Sequence, residues 1–123
     1  MITVELLGDN AIKVQPSGKV DETDIRKIGN EADRLIKKHG SIKVLVDASD
    51  FDGWADMDTA KKHFRFVREH HQKVERIALI AGHEWQHWLA GVMSAFVHPE
   101  IRIFDKGDAS AAADWLLQRK AAA

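Results

Sequence analysis

Five consecutive residues, His83-Glu84-Trp85-Gln86-His87, have the types and spacing of the zinc-peptidase helix motif. In that chemistry two histidines one helical turn apart bind Zn2+ from one face. The glutamate between them acts as general base, and a third ligand arrives from elsewhere in the chain. The histidine pair and the glutamate between them are present, but the third ligand is not. The extended form of the motif needs glycine at position 90 and histidine at position 93, where this chain has Ala90 and Met93. No glutamate follows Glu100, so a downstream carboxylate ligand of that kind is nearly unavailable. At roughly 100° per residue, Trp85, Trp88, Leu89, Val92 and Phe96 form one stripe of this helix. His83, His87, Ser94 and His98 form the opposite stripe. The apolar stripe is the one that faces a core, so the histidines face water. The pattern predicts no resident metal, no other cofactor and no enzymatic activity, with adventitious divalent-metal binding as the residual role of the histidines.

The bulk numbers narrow the alternatives. A chain of 123 residues is one domain, large enough to bury a core without covalent staples. Formal charge is 18 − 19 = −1, so no global field draws it to nucleic acid, and no nucleic-acid motif is present. The absence of cysteine excludes disulfides, thiolate catalysis and cysteine-based zinc sites. No Ser-His-Asp or glycine-rich phosphate pattern appears. The opening residues MITVELLGDNAIKV carry neither a basic n-region nor a long apolar run, so no signal peptide is expected. No stretch approaches the ~20 apolar residues of a membrane-spanning helix. The expected compartment is the cytoplasm.

The elements that must position any site follow from periodicity and punctuation. Ile2 to Leu7 alternates as a strand, Gly8-Asp9-Asn10 is turn chemistry, and Ala11 to Gln15 returns as an antiparallel partner. Asp21 is the expected N-cap of a helix with Asp24 in its first turn. Ile25, Ile28, Ala32, Leu35 and Ile36 give this helix its apolar stripe, and Gly40 closes it after Lys37, Lys38 and His39. Ile42 to Val46 reads as a buried strand. Asp47 to Trp54 reads as a loop, Met57 to His71 as a second helix, and Arg76 to Ala81 as a strand. Gly82 leads into the histidine helix, which Pro99 stops. Ile101 to Phe104 is the last strand, and a final helix after Gly107-Asp108 turns Ala112, Trp115 and Leu116 inward. The order is ββαβαβαβα, a single-domain α/β fold with a mixed, mostly parallel sheet of about five strands and about four helices.

That order resembles the SpoIIAA-like family of the STAS-type fold, a family often grouped with CRAL-TRIO lipid-binding domains. The resemblance rests on IKVLVDASDFDGW running into one helix, RIALIAG running into another, and the closing Ala113-Asp114-Trp115-Leu116. It covers essentially the whole chain, residues 1–123, as one domain. Anti-sigma-factor antagonists of similar fold carry a D-S-S-G-like motif at the start of the helix after the third strand, where a kinase phosphorylates a serine. The corresponding stretch here, Asp52 to Thr59, contains no serine; Ser49 lies earlier and Thr59 later. Asp52, Asp56 and Asp58 read as helix-start charges.

What the SpoIIAA-like resemblance implies is an apolar or lipid-like ligand held in a cavity beside a mobile helix, together with transient association at a membrane surface. On these residues Trp54, Phe64, Trp85, Trp88, Met93 and Phe96 are the candidate ligand-binding side chains, unless they are simply packed core. In the second helix Met57, Ala60, Phe64, Val67 and His71 share the expected inward face. Lys61, Lys62, Arg65, Phe66, Arg68 and Lys73 are the candidate membrane-surface residues. From Lys61 to Arg76 six basic residues stand against Glu69 and Glu75, a local charge of 6 − 2 = +4. A basic helix with an outward aromatic suits an anionic membrane surface, which places the protein peripherally at the inner membrane face. The competing reading is a regulatory protein-interaction module of the antagonist type that lacks the usual phosphoserine. A protein partner is compatible with both readings, and so is a homodimer.

Metal analysis of protein purified without chelators tests the first of these expectations. Substoichiometric zinc and no peptidase activity are the expected results. One zinc per chain, lost together with activity in His83→Ala, is the result that overturns it.

Overall fold

The computed structural model describes residues 2–70, 73–82 and 100–117; within these, the side chains of Asp52, Trp54, His63, Phe64 and 66–70 are not described. Its strands are β1 (Ile2–Leu6), β2 (Ala11–Val20), β3 (Ile42–Asp47), β4 (Asp50–Trp54), β5 (Val74–Ile80) and β6 (Glu100–Phe104). The described helices are α1 (Glu22–His39), α2 (Met57–His70) and α3 (Ala109–Leu117). The strands form one six-stranded sheet ordered β1-β2-β3-β5-β6, with β4 also paired to β2. Only β1 runs antiparallel, in register from Ile2↔Pro16 to Leu6↔Ile12; the remaining pairings are parallel. The expected histidine helix lies outside the described residues.

Two sequence expectations need correction, and one cause lies behind both. The second strand does not stop at Gln15, and Asp50–Trp54 is a strand rather than a loop. β2 runs ten residues and spends its length on successive partners. Ala11 to Val14 pair with Lys43 to Val46, and Ser17 to Val20 pair with Asp50 to Trp54. Pro16, which has no N–H to donate, falls in the gap between those two parallel pairings and so does not end the strand. β4 carries three polar or glycine residues out of five. It is a strand because β2 offers it a ladder, with Gly53 at φ 100° where the register shifts. The N–H of Ala55 closes the ribbon on the carbonyl of Val20 at 2.8 Å.

The sheet's two faces follow from the alternation of neighbouring residues. Ile12, Val14 and Ile42 pack with Ala32 and Leu35 of α1, while Leu45, Ala78 and Ile80 pack with Ala112 and Leu116 of α3. α1 begins on a reciprocal cap. The amide of Asp24 donates to Asp21 Oδ1, and the amide of Asp21 donates to Asp24 Oδ2, both at 3.0 Å. It ends at Gly40, left-handed at φ 87°, whose N–H returns to the carbonyl of Ile36. The α1 stripe is as the periodicity predicts: Ile25, Ala32 and Leu35 are buried, and Ile28 and Ile36 are half-buried.

α3 is pinned by Arg76 from β5. Its guanidinium donates to the carbonyl of Trp115 at 2.8 Å, lies 5.1 Å from the centroid of that indole, and pairs with Glu100 at 3.6 Å. Trp115 is accordingly half-buried, while Ala112 and Leu116 are fully buried. One residue earlier on β5, Glu75 Oε2 accepts from Ser41 Oγ at 2.8 Å and from Asn10 Nδ2 at 3.2 Å. The same Asn10 amide also donates to the carbonyl of Ser41 at 3.1 Å.

Leu116→Ala removes a side chain with no exposed surface and is expected to cost about 2–5 kcal/mol. Leu117→Ala, one residue on and 42 % exposed, is expected to cost about 1 kcal/mol or less. Urea midpoints for the two variants check the contrast, and equal losses would contradict the placement of α3.

Candidate functional site

The run β3–β4 leads directly into α2 at the carboxyl end of the parallel strands, the end at which open α/β sheets present their binding surfaces. Asp47 closes β3. Its Oδ1 accepts the amide of Ser49 at 3.1 Å and the hydroxyl of Ser49 at 2.6 Å. That carboxylate folds the chain into a tight turn. Ala48 is anchored to β5 through the carbonyl of Ile80 at 2.8 Å, and Phe51 N–H bonds back to Ala48 at 3.2 Å.

Asp56 then caps α2: its Oδ1 accepts the amide of Thr59 at 2.8 Å. The Thr59 amide first, and the Thr59 hydroxyl after it, hold the Asp56 carboxyl below the usual carboxylate range. Thr59 is thereby buried, at 5 % exposure, with its polar atoms satisfied, and Ala60 is buried beside it at 7 %.

This cap turns the face of α2. Met57, expected to point inward, is 72 % exposed. Hydropathy assigns methionine to the core and threonine to water, but the Asp56 carboxylate removes the cost of burying Thr59. In this first part of the helix Thr59 and Ala60 are the buried positions among the described residues, and Met57 lies out on the flank. The chain leading into α2 is acidic. Residues 47–58 contain Asp47, Asp50, Asp52, Asp56 and Asp58 and no lysine or arginine. Asp50, Asp56 and Asp58 are exposed.

The basic run follows one turn later. Lys61, Lys62, Arg65 and Lys73 are all exposed. Lys62 is committed across the helix pair: its Nζ lies 2.9 Å from Glu22 Oε1 at the head of α1. That ammonium, by hydrogen bond and by charge, lowers the Glu22 carboxyl below its ordinary range. Lys61 and Arg65 have no ion-pair partner among the described residues.

Several expected site residues lie outside the described set. These are Trp85, Trp88, Met93 and Phe96 as whole residues, and Trp54, Phe64, Phe66 and Arg68 as side chains. The backbones of the last four lie in β4 and α2. Val67 is among those side chains, and His71 lies outside the described residues, as do His83, His87 and His98. Among the described residues no three His, Asp or Glu side chains converge as a metal site, and no helix is long and apolar enough to cross a membrane. The Glu22–Lys62 contact was not legible in the sequence, because 40 residues separate partners of ordinary type. Asp56 and Asp58 were legible as helix-start charges, whereas Asp52, read the same way, lies in β4.

The comparisons agree with this geometry. The SpoIIAA-like family profile matches residues 11–117, and the chain belongs to the SpoIIAA-like family. A solved structure of an uncharacterized protein with a SpoIIAA-like fold from Shewanella loihica is similar at 25% identity. The match covers 94% of this chain and 92% of that one, with a TM-score of 0.73. The anti-sigma factor antagonist SpoIIAA in its unphosphorylated form is similar at 10% identity, over 90% of this chain and 96% of that one, with a TM-score of 0.57. The Bacillus cell fate determinant SpoIIAA in its phosphorylated form is similar at 9% identity, over 90% and 97%, with a TM-score of 0.56. At those identities the two SpoIIAA structures establish the shared fold. No curated protein matches the chain.

The depressed Asp56 carboxyl has a pH signature. A group whose folded pKa lies below its unfolded value stabilises the fold above the unfolded value, and that contribution is lost as pH falls through the folded one. Asp56→Asn keeps a capping oxygen but carries no charge. Wild type is expected to melt above Asp56→Asn at neutral pH, and the gap is expected to close below about pH 4. A gap that does not change with pH would contradict the capping role of the charge.

Proposed function

We propose that this chain is a non-enzymatic, regulatory protein-interaction module that docks through the β4–α2 corner, with no phosphorylated hydroxyl at that corner. The observation that carries the reading is Met57, 72 % exposed at the head of α2 between the exposed Asp56 and Asp58, with the exposed Lys61 one helical turn on. An exposed large apolar side chain within a charged rim is the usual composition of an interface anchor. The two nearby hydroxyls are engaged internally, Ser49 on Asp47 and Thr59 on Asp56. The similar SpoIIAA structures, described in unphosphorylated and phosphorylated forms, supply the functional analogy. Here permanent carboxylates occupy the corner, so the surface is charged without a kinase.

A second reading is peripheral membrane association, with an apolar or lipid-like ligand, at the inner membrane face. It is favoured by Lys61 and Arg65, exposed and without ion-pair partners among the described residues. Each such residue adds about 1 kcal/mol near an anionic surface. It is weakened by Lys62, which is committed to Glu22. The ligand-cavity residues Trp54, Phe64, Trp85, Trp88, Met93 and Phe96 belong to this reading.

One set of variants separates the two. Immobilised wild-type chain is expected to retain a protein from its own cell extract. Met57→Asp is expected to lower that retention about tenfold, while Asp9→Ser, in the β1–β2 turn, leaves it unchanged. Co-sedimentation with phosphatidylglycerol vesicles at low and high salt, for wild type and for the Lys61→Glu, Arg65→Glu variant, reads the membrane alternative. Retention indifferent to Met57→Asp sinks the docking reading. Salt-sensitive vesicle binding lost in the double variant promotes the membrane one.

A further inference from the structure

We infer that Met57 is a site of reversible oxidation to the sulfoxide, and that this oxidation releases a docked partner; the second half rests on the interaction reading above. The chain has three methionines and no cysteine, so its thioethers are the only sulfur available to a mild oxidant. Met57 is 72 % exposed, more than the next exposed large apolar residues, Leu6 at 58 % and Leu117 at 42 %. A small peroxide therefore reaches the sulfur lone pairs with no opening of the fold.

The position of the residue decides what oxidation does. In a core, the new polar oxygen would break packing and unfold the domain. At Met57 it emerges into water. The first turn of α2 keeps its cap, because Asp56 and not Met57 accepts the Thr59 amide. The packing of this turn is kept, because Thr59 and Ala60 are buried and Met57 is not. Oxidation thus converts an exposed thioether at the head of α2 into a dipolar acceptor while the scaffold stays intact. A partner surface built to receive a thioether then faces an S=O group with no donor to meet it.

The step is a two-electron oxygen transfer from a hydroperoxide. A sulfur lone pair attacks the outer peroxide oxygen, the S–O bond forms and the O–O bond breaks. The leaving oxygen takes the proton and departs as water or alcohol. Sulfur is oxidised and the peroxide is reduced. Methionine sulfoxide reductases reverse it: the oxygen leaves as water, and two reductase thiols become a disulfide.

The test uses the full chain and hydrogen peroxide. Peptide mapping by mass spectrometry resolves Met57 from Met1 and Met93. Met57 is expected to gain one oxygen at a rate within about threefold of a free methionine amide. The melting temperature is expected to hold within about 2 °C. A mixture of the two epimer-specific reductases is expected to return the original mass. A Met57 rate roughly tenfold or more below the free amide, or unfolding on oxidation, overturns the site. The switch is read by retention of the protein captured in the docking experiment. Oxidised chain and Met57→Gln are expected to retain about tenfold less, and reductase treatment is expected to restore retention to the oxidised chain. If the sulfoxide retains as much as the thioether while Met57→Asp does not, the switch fails and the docking reading stands. If Met57→Asp also retains fully, docking at this corner fails. In that case a fast, reversible, fold-neutral oxidation would still support the site.

Discussion

The fold depends on the divided pairing of β2. One ten-residue strand holds β1 along one edge and, in succession, β3 and β4 along the other. Because the chain leaves β2 for α1 and leaves β4 for α2, that ribbon brings the heads of two helices to the same end of the sheet. The bond from Ala55 N–H to the Val20 carbonyl fixes the junction. The contact of Lys62 with Glu22 is possible only because of this convergence. So is the acidity of the corner, since carboxylates are the favoured caps of helix heads and this corner has two of them.

Each helix head here is neutralised by its own chain. Asp21 and Asp24 cap one another's amides at the start of α1, and Asp56 takes the Thr59 amide at the start of α2. Helix heads commonly serve as anion sites because their amides point outward without partners. At this corner the carboxylates already fill that role, so the surface offered outward is one of acceptors and negative charge, with a thioether in its midst. The basic flank beginning at Lys61 follows within a single turn of helix. The chain, almost neutral as a whole, is strongly polarised along α2.

Much of the fold was legible in the sequence, because local rules and tertiary structure agree there. Asp21, Gly40 and the Ile25–Ala32–Leu35 stripe define α1 from cap to cap; β5 is buried at Val74 and from Ala78 to Ile80, whereas β3 is buried only at Ile42 and Leu45 and half-buried elsewhere. The sequence misleads in two places. Asp50–Trp54 reads as a loop by composition and is a strand because β2 continues past Pro16, a tertiary effect. Met57 reads as core by type and is exposed, while the Asp56 cap three residues away satisfies the buried Thr59, a local effect. Both fall at the candidate site. Asp56 and Asp58 were visible as helix-start charges, but the exposed thioether between them was not.

The Glu75 network at the far end of the sheet has a kinetic consequence. Its partners Asn10 and Ser41 stand 65 and 34 residues away along the chain. They meet only after β3 has found β5 and the β1–β2 turn has closed over both. Contacts of such long sequence separation bring little to a nucleus, which forms from nearer pairs. Interactions made after the barrier act on the unfolding rate rather than the folding rate. The two loops and the start of β5 therefore form a latch: it does little to help the domain fold, and it slows the domain's coming apart.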